Sequence, residues 1–521
     1  MVATLSVKTS ANKINPVRAA FADVSAWKLV LSSARIFWHI YKLQGFKGAL
    51  RVFPIIWTII YSVNGFYKFH KKEFERIKIS RQQDIDVEEV IVDVNEQEEY
   101  RRLGRWLCDR LHNLGPTFIK IGQTLSTRAD LLPLAAMLEL AKLQESVQPF
   151  PTEEAVRTIE ADLGGSIAQF FQEFDYTPIA AASLAQAYKA TLSDGKVVVV
   201  KVQRPDLSKI IAADIQVIKA VARELMHYPS LCRHTDWPGV VQEFNRTIFE
   251  EIDYILEGKN ADRFRQNFRN FPSIFIPHII WRLTGRRVLT LEYVEGVRVD
   301  DIPAWRNMGI LRDDITAIGA YFYLKQLLED GFFHADPHPG NLRIMADGRV
   351  GIFDFGMVGQ LSPSLKQHTI NAFLHVIQRD YRALIDDFVG MGFLDHSVNR
   401  EALYQDLAPI VDQRFAEGMS RLRFRQILFD FSEVCWRYPF RLPTEFTYVM
   451  RALLTLEGVA LIINPQFNFV ETALPYAQRL IFKNNGGFGQ AIFKEVFSDG
   501  RFNSQAAVNL IKAAAKLTQS I

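Results

Sequence analysis

The sequence predicts an α+β fold of two lobes, a small β-rich one and then a large helical one, with a helical extension in front. Three observations predict it. Residues 176–205, "YTPIAAASLAQAYKATLSDGKVVVVKVQRP", alternate well enough for strands about the turn "SDGK" at 193–196, and "KVVVVKV" is β-branched and strongly strand-forming. After Arg312 nearly everything reads as helix, except the loop 331–341 and short strands around 342–354. Ahead of the strands, "YRRLGRWLCDRLHNLGPTFIKIGQTLSTRADLLP" is helical, stopping at Gly115-Pro116 and restarting to about Pro133.

The elements follow in order. Residues 1–22 lack acids and carry Lys8, Lys13 and Arg18, a short stretch with no cleavage pattern that reads as a plain N-terminus rather than a transit peptide. Next come the amphipathic "WKLVLSSARIFWHIYKL" (27–43) and the apolar "VFPIIWTIIYSVNGFYKF" (52–69), interrupted by Pro54, Asn64 and Gly65. Basic residues crowd behind them: Lys68, Lys71, Lys72, Arg76, Lys78 and Arg81. Trp27, Trp38 and Trp57 beside that polybasic run fit a segment lying in the interface of an anionic membrane. A highly charged stretch over about 70–102 reads as a connection. Beyond "KVVVVKV", helices are expected over 206–228 and 238–268, then strands at "FIPHII" (275–280) and "RVLTLEYVEG" (287–296). The expected domains are 1–72 (membrane-associating segment), 73–170 (linker and helical extension), 171–296 (small lobe with inserted helices) and 297–521 (helical lobe and C-terminal helices).

Composition narrows the function classes. Of 521 residues, 48% are hydrophobic and 12% aromatic, which suits a well-packed chain of several domains. A net charge of only +3 gives no basic excess for a nucleic-acid partner. Cys108, Cys232 and Cys435 lie far apart without metal-type spacing and read as reduced thiols. No run of eighteen uncharged apolar residues is present, so an ordinary transmembrane helix is not expected.

The chemistry-bearing residues sit just past the junction of the lobes. Phosphoryl transfer needs a lysine for the nucleotide phosphates, an acid to orient it, an aspartate to orient the acceptor, and an Asn and an Asp for magnesium. Asp336 and Asn341 are five residues apart, the interval of H-R-D-x-x-x-x-N, and Asp354-Phe355-Gly356 follows Asn341 by thirteen. Lys201 closes "VVVVK", matching the V-A-I-K strand. Each alone is weak; their co-occurrence in this order is a strong signal for a protein-kinase-like plan. His334 is expected to pack and His338 to brace the loop. For the acid beside Lys201, "EFNRTIFEEIDYILEGKN" offers Glu243, Glu250, Glu251, Asp253 and Glu257, and the residues alone do not choose.

Two features depart from an ordinary protein kinase. Where a G-x-G-x-x-G loop should precede the lysine, the chain has Ala180-Ala181-Ala182-Ser183-Leu184-Ala185-Gln186, and a Cβ at each alanine limits approach to the phosphates. After Asp354-Phe355-Gly356 the chain passes through "MVGQLSPSLKQ" into a helix, with no A-P-E and no long activation segment as a platform for protein substrates.

Together these residues resemble the UbiB family of atypical kinase-like proteins, called ADCK in animals, over about Arg101 to Pro465. "GPTFIKIGQTLSTRADLLP" carries the family's K-x-G-Q signature as Lys120, Gly122 and Gln123; "EEIDYILE" carries its E-x-D motif as Glu251 and Asp253; and "RALLTLEGVALIINP" (451–465) looks like its C-terminal signature. The resemblance implies that Glu257 pairs with Lys201, that Lys201, Ala180, Ala181, Ala182, Ser183, Glu292 and Val294 bind nucleotide, and that Lys120, Gln123, Glu251 and Asp253 gate the acceptor side. It further implies ATP or ADP with Mg2+ as cofactors, ATPase activity without protein kinase activity in trans, and a role in isoprenoid quinone metabolism at membranes. Expected partners are ATP, a lipid or prenyl-quinone precursor, an anionic membrane surface and quinone-biosynthesis enzymes. "LTQSI" closes a weakly amphipathic helix where many bacterial members end in a transmembrane hairpin, so membrane contact is expected from residues 27–69. That look is similar to cyanobacterial or plastid-type members, implying a peripheral place on the cytoplasmic face of an inner or thylakoid membrane, or in a plastid. A small-molecule or lipid kinase and a nucleotide-sensing, lipid-handling scaffold are the alternative functions.

Overall fold

Val197–Gln203, the β-branched run, forms a seven-residue strand in the computed structural model, and its lobe is built around it. The structure describes residues 26–59, 61–62, 94–126, 132, 134–144, 149–228, 237–416, 438, 440, 443–468, 472, 497–498 and 501–502. The polybasic run 68–81, the charged connection as far as Asp93, Cys232, Cys435 and the closing "LTQSI" lie outside them; the rest of that connection, with Glu96, Glu98 and Glu99, falls in a helix that starts at Val94.

The principal helices in chain order are α1 (Ala26–Leu50), α2 (Val94–Leu114), α3 (Pro116–Leu125), α4 (Leu134–Leu140), α5 (Thr152–Leu163), α6 (Leu207–Leu225), α7 (Trp237–Glu251), α8 (Tyr254–Asn267), α9 (Arg312–Leu324), α10 (Pro363–Gln378), α11 (Tyr381–Gly390), α12 (Arg400–Ala416) and α13 (Thr444–Ile463). The strands are β1 (Glu173–Phe174), β2 (Ala180–Ala181), β3 (Ala185–Thr191), β4 (Val197–Gln203), β5 (Ile274–Phe275), β6 (Val288–Glu292), β7 (Val297–Arg298), β8 (Phe332–His334), β9 (Leu342–Ile344), β10 (Val350–Ile352) and β11 (Val358–Gln360). Packing groups residues 1–126, 132–144 and 206–248 into one unit and 127–131, 145–205 and 249–521 into another.

The first unit is helical. A helix over 52–59 follows α1, which is kinked at Gly45 (φ 72°), and α1 lies against α6. Helices α2, α3 and α4 pack together, and the glycine of K-x-G-Q has a steric reason there: a Cβ on Gly122 would run into the Leu143 and Leu111 side chains. Buried Asp214 of α6 ties the unit together, accepting from the Thr117 hydroxyl at 2.7 Å and pairing with Arg51 at 2.7 Å.

In the second unit an antiparallel sheet runs β1-β3-β4-β6, with β2 also on β3. Alternation along β4 turns Val198, Val200 and Val202 into one core with Ile159 of α5, and leaves Val199 and Lys201 on the opposite side. A second core gathers Phe264 of α8, Phe268 just past its end, Phe322, Phe332 and Phe355, while a third fills the helical lobe around Tyr323, Phe333, Phe388 and Phe393. The short strands β5-β10-β9-β7 and the pair β8/β11 carry the loops between these cores. This is a kinase-like architecture, with a strand lysine in the β lobe and the acidic loops beside it.

Three local expectations change. The helix expected over 238–268 is broken at Ile252–Asp253, because Asp253 caps a new helix by accepting from Leu256 N at 3.0 Å. The strand expected at 275–280 shrinks to Ile274–Phe275 with a lone bridge at Ile279, since Pro277 offers no N–H to a ladder. The loop expected over 331–341 begins as strand β8, paired with β11. Among the described residues one helix, Glu445–Ile463, is long and apolar enough to cross a membrane, and 44% of its apolar window is buried in the fold.

Candidate active site

Lys201 is held from both sides, opposite Ala187 of β3 and Leu289 of β6. Its Nζ donates to Glu257 Oε1 at 2.8 Å and Oε2 at 3.0 Å, and to Asp354 Oδ2 at 3.2 Å. The Tyr254 ring lies beneath the ammonium, 5.2 Å away. Of the acids that the sequence left open, the structure therefore puts Glu257 on the lysine. The helix break does the sorting. Gln203 Nε2, two residues past Lys201, donates to the Ile252 carbonyl at the break, so α8 begins tethered to β4 and directs its first turn at the lysine.

The same face of α8 grips the D-F-G turn. Asn260, three residues after Glu257, donates to the Phe355 carbonyl at 3.1 Å, and the Phe264 ring, seven after, packs at a tilt with its centroid 5.0 Å from that of Phe355. With Phe355 buried there, Asp354 faces Lys201. Its carboxylate also accepts from Gly356 N at 3.0 Å. Burial alone would raise the Asp354 carboxyl, but the Lys201 ammonium and the Gly356 N–H outweigh it and hold the group well below the usual range. Burial pushes Glu257 the other way, up to about 7, against the pull of Lys201. Burial works against the Lys201 charge too, yet Asp354 and Glu257 together keep it firmly protonated.

The catalytic-type loop is wired to this cluster through His334. Its Nδ1 accepts from Asp336 N at 3.0 Å, so Nε2 carries the proton and donates to the Asp354 carbonyl at 2.5 Å. Burial lowers the pKa of the ring, in keeping with a neutral, structural histidine. Asn341 donates to the Asp336 carbonyl at 3.2 Å, and His338 caps the turn by accepting from Gly340 N at 3.0 Å. The Asp336 carboxylate lies 3.0 Å from the guanidinium of Arg451 on α13.

The alanine loop is a closed turn between β2 and β3. Ala180 and Ala181 pair with Ala187 and Gln186, and Ala182 N donates to Ala185 O at 2.8 Å. Arg204 fastens it to the far end of β4, its side chain donating to Ser183 O at 3.2 Å and Ala182 O at 3.5 Å. Glu292 ends β6 opposite Val198 and accepts from His278 N at 3.2 Å; Val294 is buried where a Cβ on Gly351 would otherwise stand. Asp253 is an exposed helix cap, while Glu251 lies near the D-F-G glycine, its Cγ 3.6 Å from where a Gly356 Cβ would be. Lys120 and Gln123 are buried in the helical unit, Gln123 donating to Leu143 O at 3.2 Å.

Sequence reasoning missed Tyr254, Asn260, Arg204 and Arg451. Asn260 and Phe264 had a signal in their spacing from Glu257; Arg451 had none, since its partner lies in a distant loop. Among the described residues no three His, Cys, Asp or Glu are placed to hold a metal ion unaided. Asp354 and Asn341 offer the oxygen donors that a magnesium ion shared with phosphates requires.

The chain is similar to known proteins over most of its length. Residues 142–388 match the ABC1 atypical kinase-like domain and residues 407–468 the UbiB helical domain. The Synechocystis protein sll1770 is 39% identical over 396 residues, covering 76% of this chain and 68% of that one; slr1919 is 38% identical over 426 residues, covering 81% and 75%. The chloroplastic protein Activity of bc1 complex kinase 7 of Arabidopsis thaliana is 39% identical over 73% of this chain, which spans only 55% of the plant protein. Among solved structures, Rv3197 of Mycobacterium tuberculosis, determined with erythromycin, aligns at 23% identity and a TM-score of 0.41 over 66% of this chain and 87% of that one. With its strand lysine, paired glutamate and D-F-G aspartate lying inside the matched domain, the chain belongs to the ABC1/UbiB family of atypical kinase-like proteins.

Proposed function

We propose that this protein is a membrane-associated ATPase or atypical kinase that binds Mg-ATP and supports the biosynthesis or homeostasis of prenyl quinones. The observation that carries the reading is the Lys201–Glu257–Asp354 cluster, with contacts of 2.8 and 3.2 Å on one ammonium. In it Lys201 takes the nucleotide phosphates, Glu257 holds the lysine, and Asp354 with Asn341 supplies oxygen ligands to magnesium. When bound, the metal neutralises phosphate charge, and one or two side-chain ligands suffice because phosphates and water complete its shell. Ala180, Ala181, Ala182, Ser183, Glu292 and Val294 contribute the remaining nucleotide contacts.

Two features support the exclusion of protein substrates. Only six residues separate Gly356 from Pro363 at the start of α10, too few for a substrate platform. The Asp336 carboxylate, which would orient an acceptor hydroxyl, faces a buried guanidinium instead. Lys120, Gln123, Glu251 and Asp253 act, in this reading, to restrict the acceptor side. The quinone and membrane parts rest on the family, and the cyanobacterial and chloroplastic relatives favour a thylakoid, inner-membrane or plastid setting. A lipid or prenyl-quinone precursor and quinone-biosynthesis enzymes are the partners this implies.

ATP turnover by the full chain, measured with and without Mg2+, anionic vesicles and a quinone-like phenol, tests the proposal. Mg2+-dependent release of inorganic phosphate without a labelled organic product is the expected result. Stoichiometric label in the phenol or a lipid would make the protein a small-molecule or lipid kinase. Normal quinone levels in cells whose only copy cannot hydrolyse ATP would make it a scaffold.

A further inference from the structure

The N-terminal helices show two unlike sides. One is tied down. Ile36, Ile40, Ala49, Val52 and Ile55 are buried, Ser32 Oγ and the Tyr228 hydroxyl share a 2.9 Å hydrogen bond, Arg35 pairs with Glu224 at 2.7 Å, and Arg51 pairs with Asp214 at 2.7 Å. The other side is apolar and open: Trp38, Tyr41, Phe46, Phe53, Trp57 and Tyr61 are between 42% and 61% exposed. Nine of the nineteen large apolar side chains exposed among the described residues fall between Leu31 and Tyr61, so they form a patch rather than the usual scatter. Ring contacts join it, Trp38 to Tyr41 at 5.5 Å and Phe37 across to Phe53 at 5.3 Å.

In sequence the stretch that carries the patch is basic: between Asp23 and Glu73 it holds no acid, and besides Arg35 and Arg51, which are paired on the tied side, it holds Lys28, Lys42, Lys47, Lys68, Lys71 and Lys72. Lys42 sits at the rim, its Nζ 5.6 Å from the Trp38 ring.

We propose that this face, centred on Trp38, Phe53 and Trp57, docks the protein in the plane of an anionic bilayer interface without crossing it. The proposal deepens the membrane-associated reading above and rests on it. Tryptophan and tyrosine settle at headgroup depth, phenylalanine and leucine reach the acyl boundary, and lysines without competing acids meet anionic lipid. Crossing is excluded by the other side of the same helices. Inserting α1 together with the helix at 52–59 would break the Arg35–Glu224 and Arg51–Asp214 pairs and carry two guanidinium groups into hydrocarbon.

Flotation of the full chain with phosphatidylcholine vesicles, and with vesicles containing phosphatidylglycerol, tests this. Wild type should float with the anionic vesicles, less well at high salt, and should be released by alkaline carbonate. The triple variant Trp38→Gln, Phe53→Gln, Trp57→Gln should lose at least ~10-fold in vesicle affinity. Its melting temperature and its thermal shift with Mg-ATP should match wild type, because these side chains are already exposed. A triple variant that floats like wild type overturns the proposal. So does a wild type that dimerises in lipid-free buffer through this face, becoming monomeric in the variant with vesicle binding unchanged; the occupant would then be a second copy. Retention through carbonate would overturn the in-plane placement. A lost Mg-ATP shift in wild type would instead refute the nucleotide reading and leave the docking result standing.

Discussion

Asp336, the aspartate of the catalytic-type loop, has its carboxylate 3.0 Å from the guanidinium of Arg451, and both side chains are buried. In a protein kinase this carboxylate accepts the hydroxyl proton of the substrate. Here a helix from the far end of the large lobe delivers a permanent cation to it. Removing one member of a buried pair strands the other, at a cost of roughly 3–5 kcal/mol. Arg451→Met should therefore destabilise the chain by about 3 kcal/mol, and adding Asp336→Asn should recover at least ~1 kcal/mol of it. Urea unfolding of the four members of the cycle measures the coupling. Strict additivity would mean that the two groups do not interact.

Asp354→Asn removes the carboxylate that faces Lys201 and is proposed to meet magnesium. Nucleotide-induced thermal stabilisation in the presence of Mg2+ should disappear, and Lys201→His should weaken it by ~10-fold or more in affinity. Asp336→Asn should spare binding and remove turnover, because that residue is proposed to orient the acceptor and its carboxylate lies on Arg451 rather than on Lys201. Normal ATP hydrolysis by Asp336→Asn would refute the loop assignment.

Glu257 makes stability depend on pH in an unusual direction. Its carboxyl is raised to about 7 in the folded chain, above the ordinary value, so the folded state binds that proton more tightly than the unfolded state. Stability from this group is present below the unfolded pKa and is lost as pH rises through about 7. The contribution of Glu257 should thus favour mildly acidic over alkaline pH, opposite in sign to that of buried His334, and it is read as the difference between the pH profiles of wild type and Glu257→Gln. Identical profiles would exclude Glu257 as a source.

Arg204 is the fastening of the alanine turn, through the carbonyls of Ser183 and Ala182. Arg204→Gln should leave those carbonyls without their cation and loosen the turn, reducing nucleotide affinity by ~3- to 10-fold with little loss of stability. Calorimetric titration with Mg-ADP beside a melting curve checks both halves. An unaltered affinity would mean that the turn does not touch the nucleotide.

The sequence alone settled what is local. Lys201 had to lie in a strand because four valines precede it, and the spacings from Asp336 to Asn341 and on to Asp354 carried the loop pattern without reference to any other part of the chain. It also carried the paired apolar and basic character of residues 27–81, the region whose described part exposes the aromatic patch. Tertiary structure decided the rest. Glu257 could not be chosen from its neighbours, because helical periodicity assumes an unbroken helix and Asp253 starts a new one just before it. Asn260 and Phe264 acquire their roles only when α8 lies against the D-F-G turn. Arg451 meets Asp336 only through the packing of α13 on the large lobe; a contact between residues so far apart in sequence leaves no trace in local pattern, since it arises from how buried surfaces fit together.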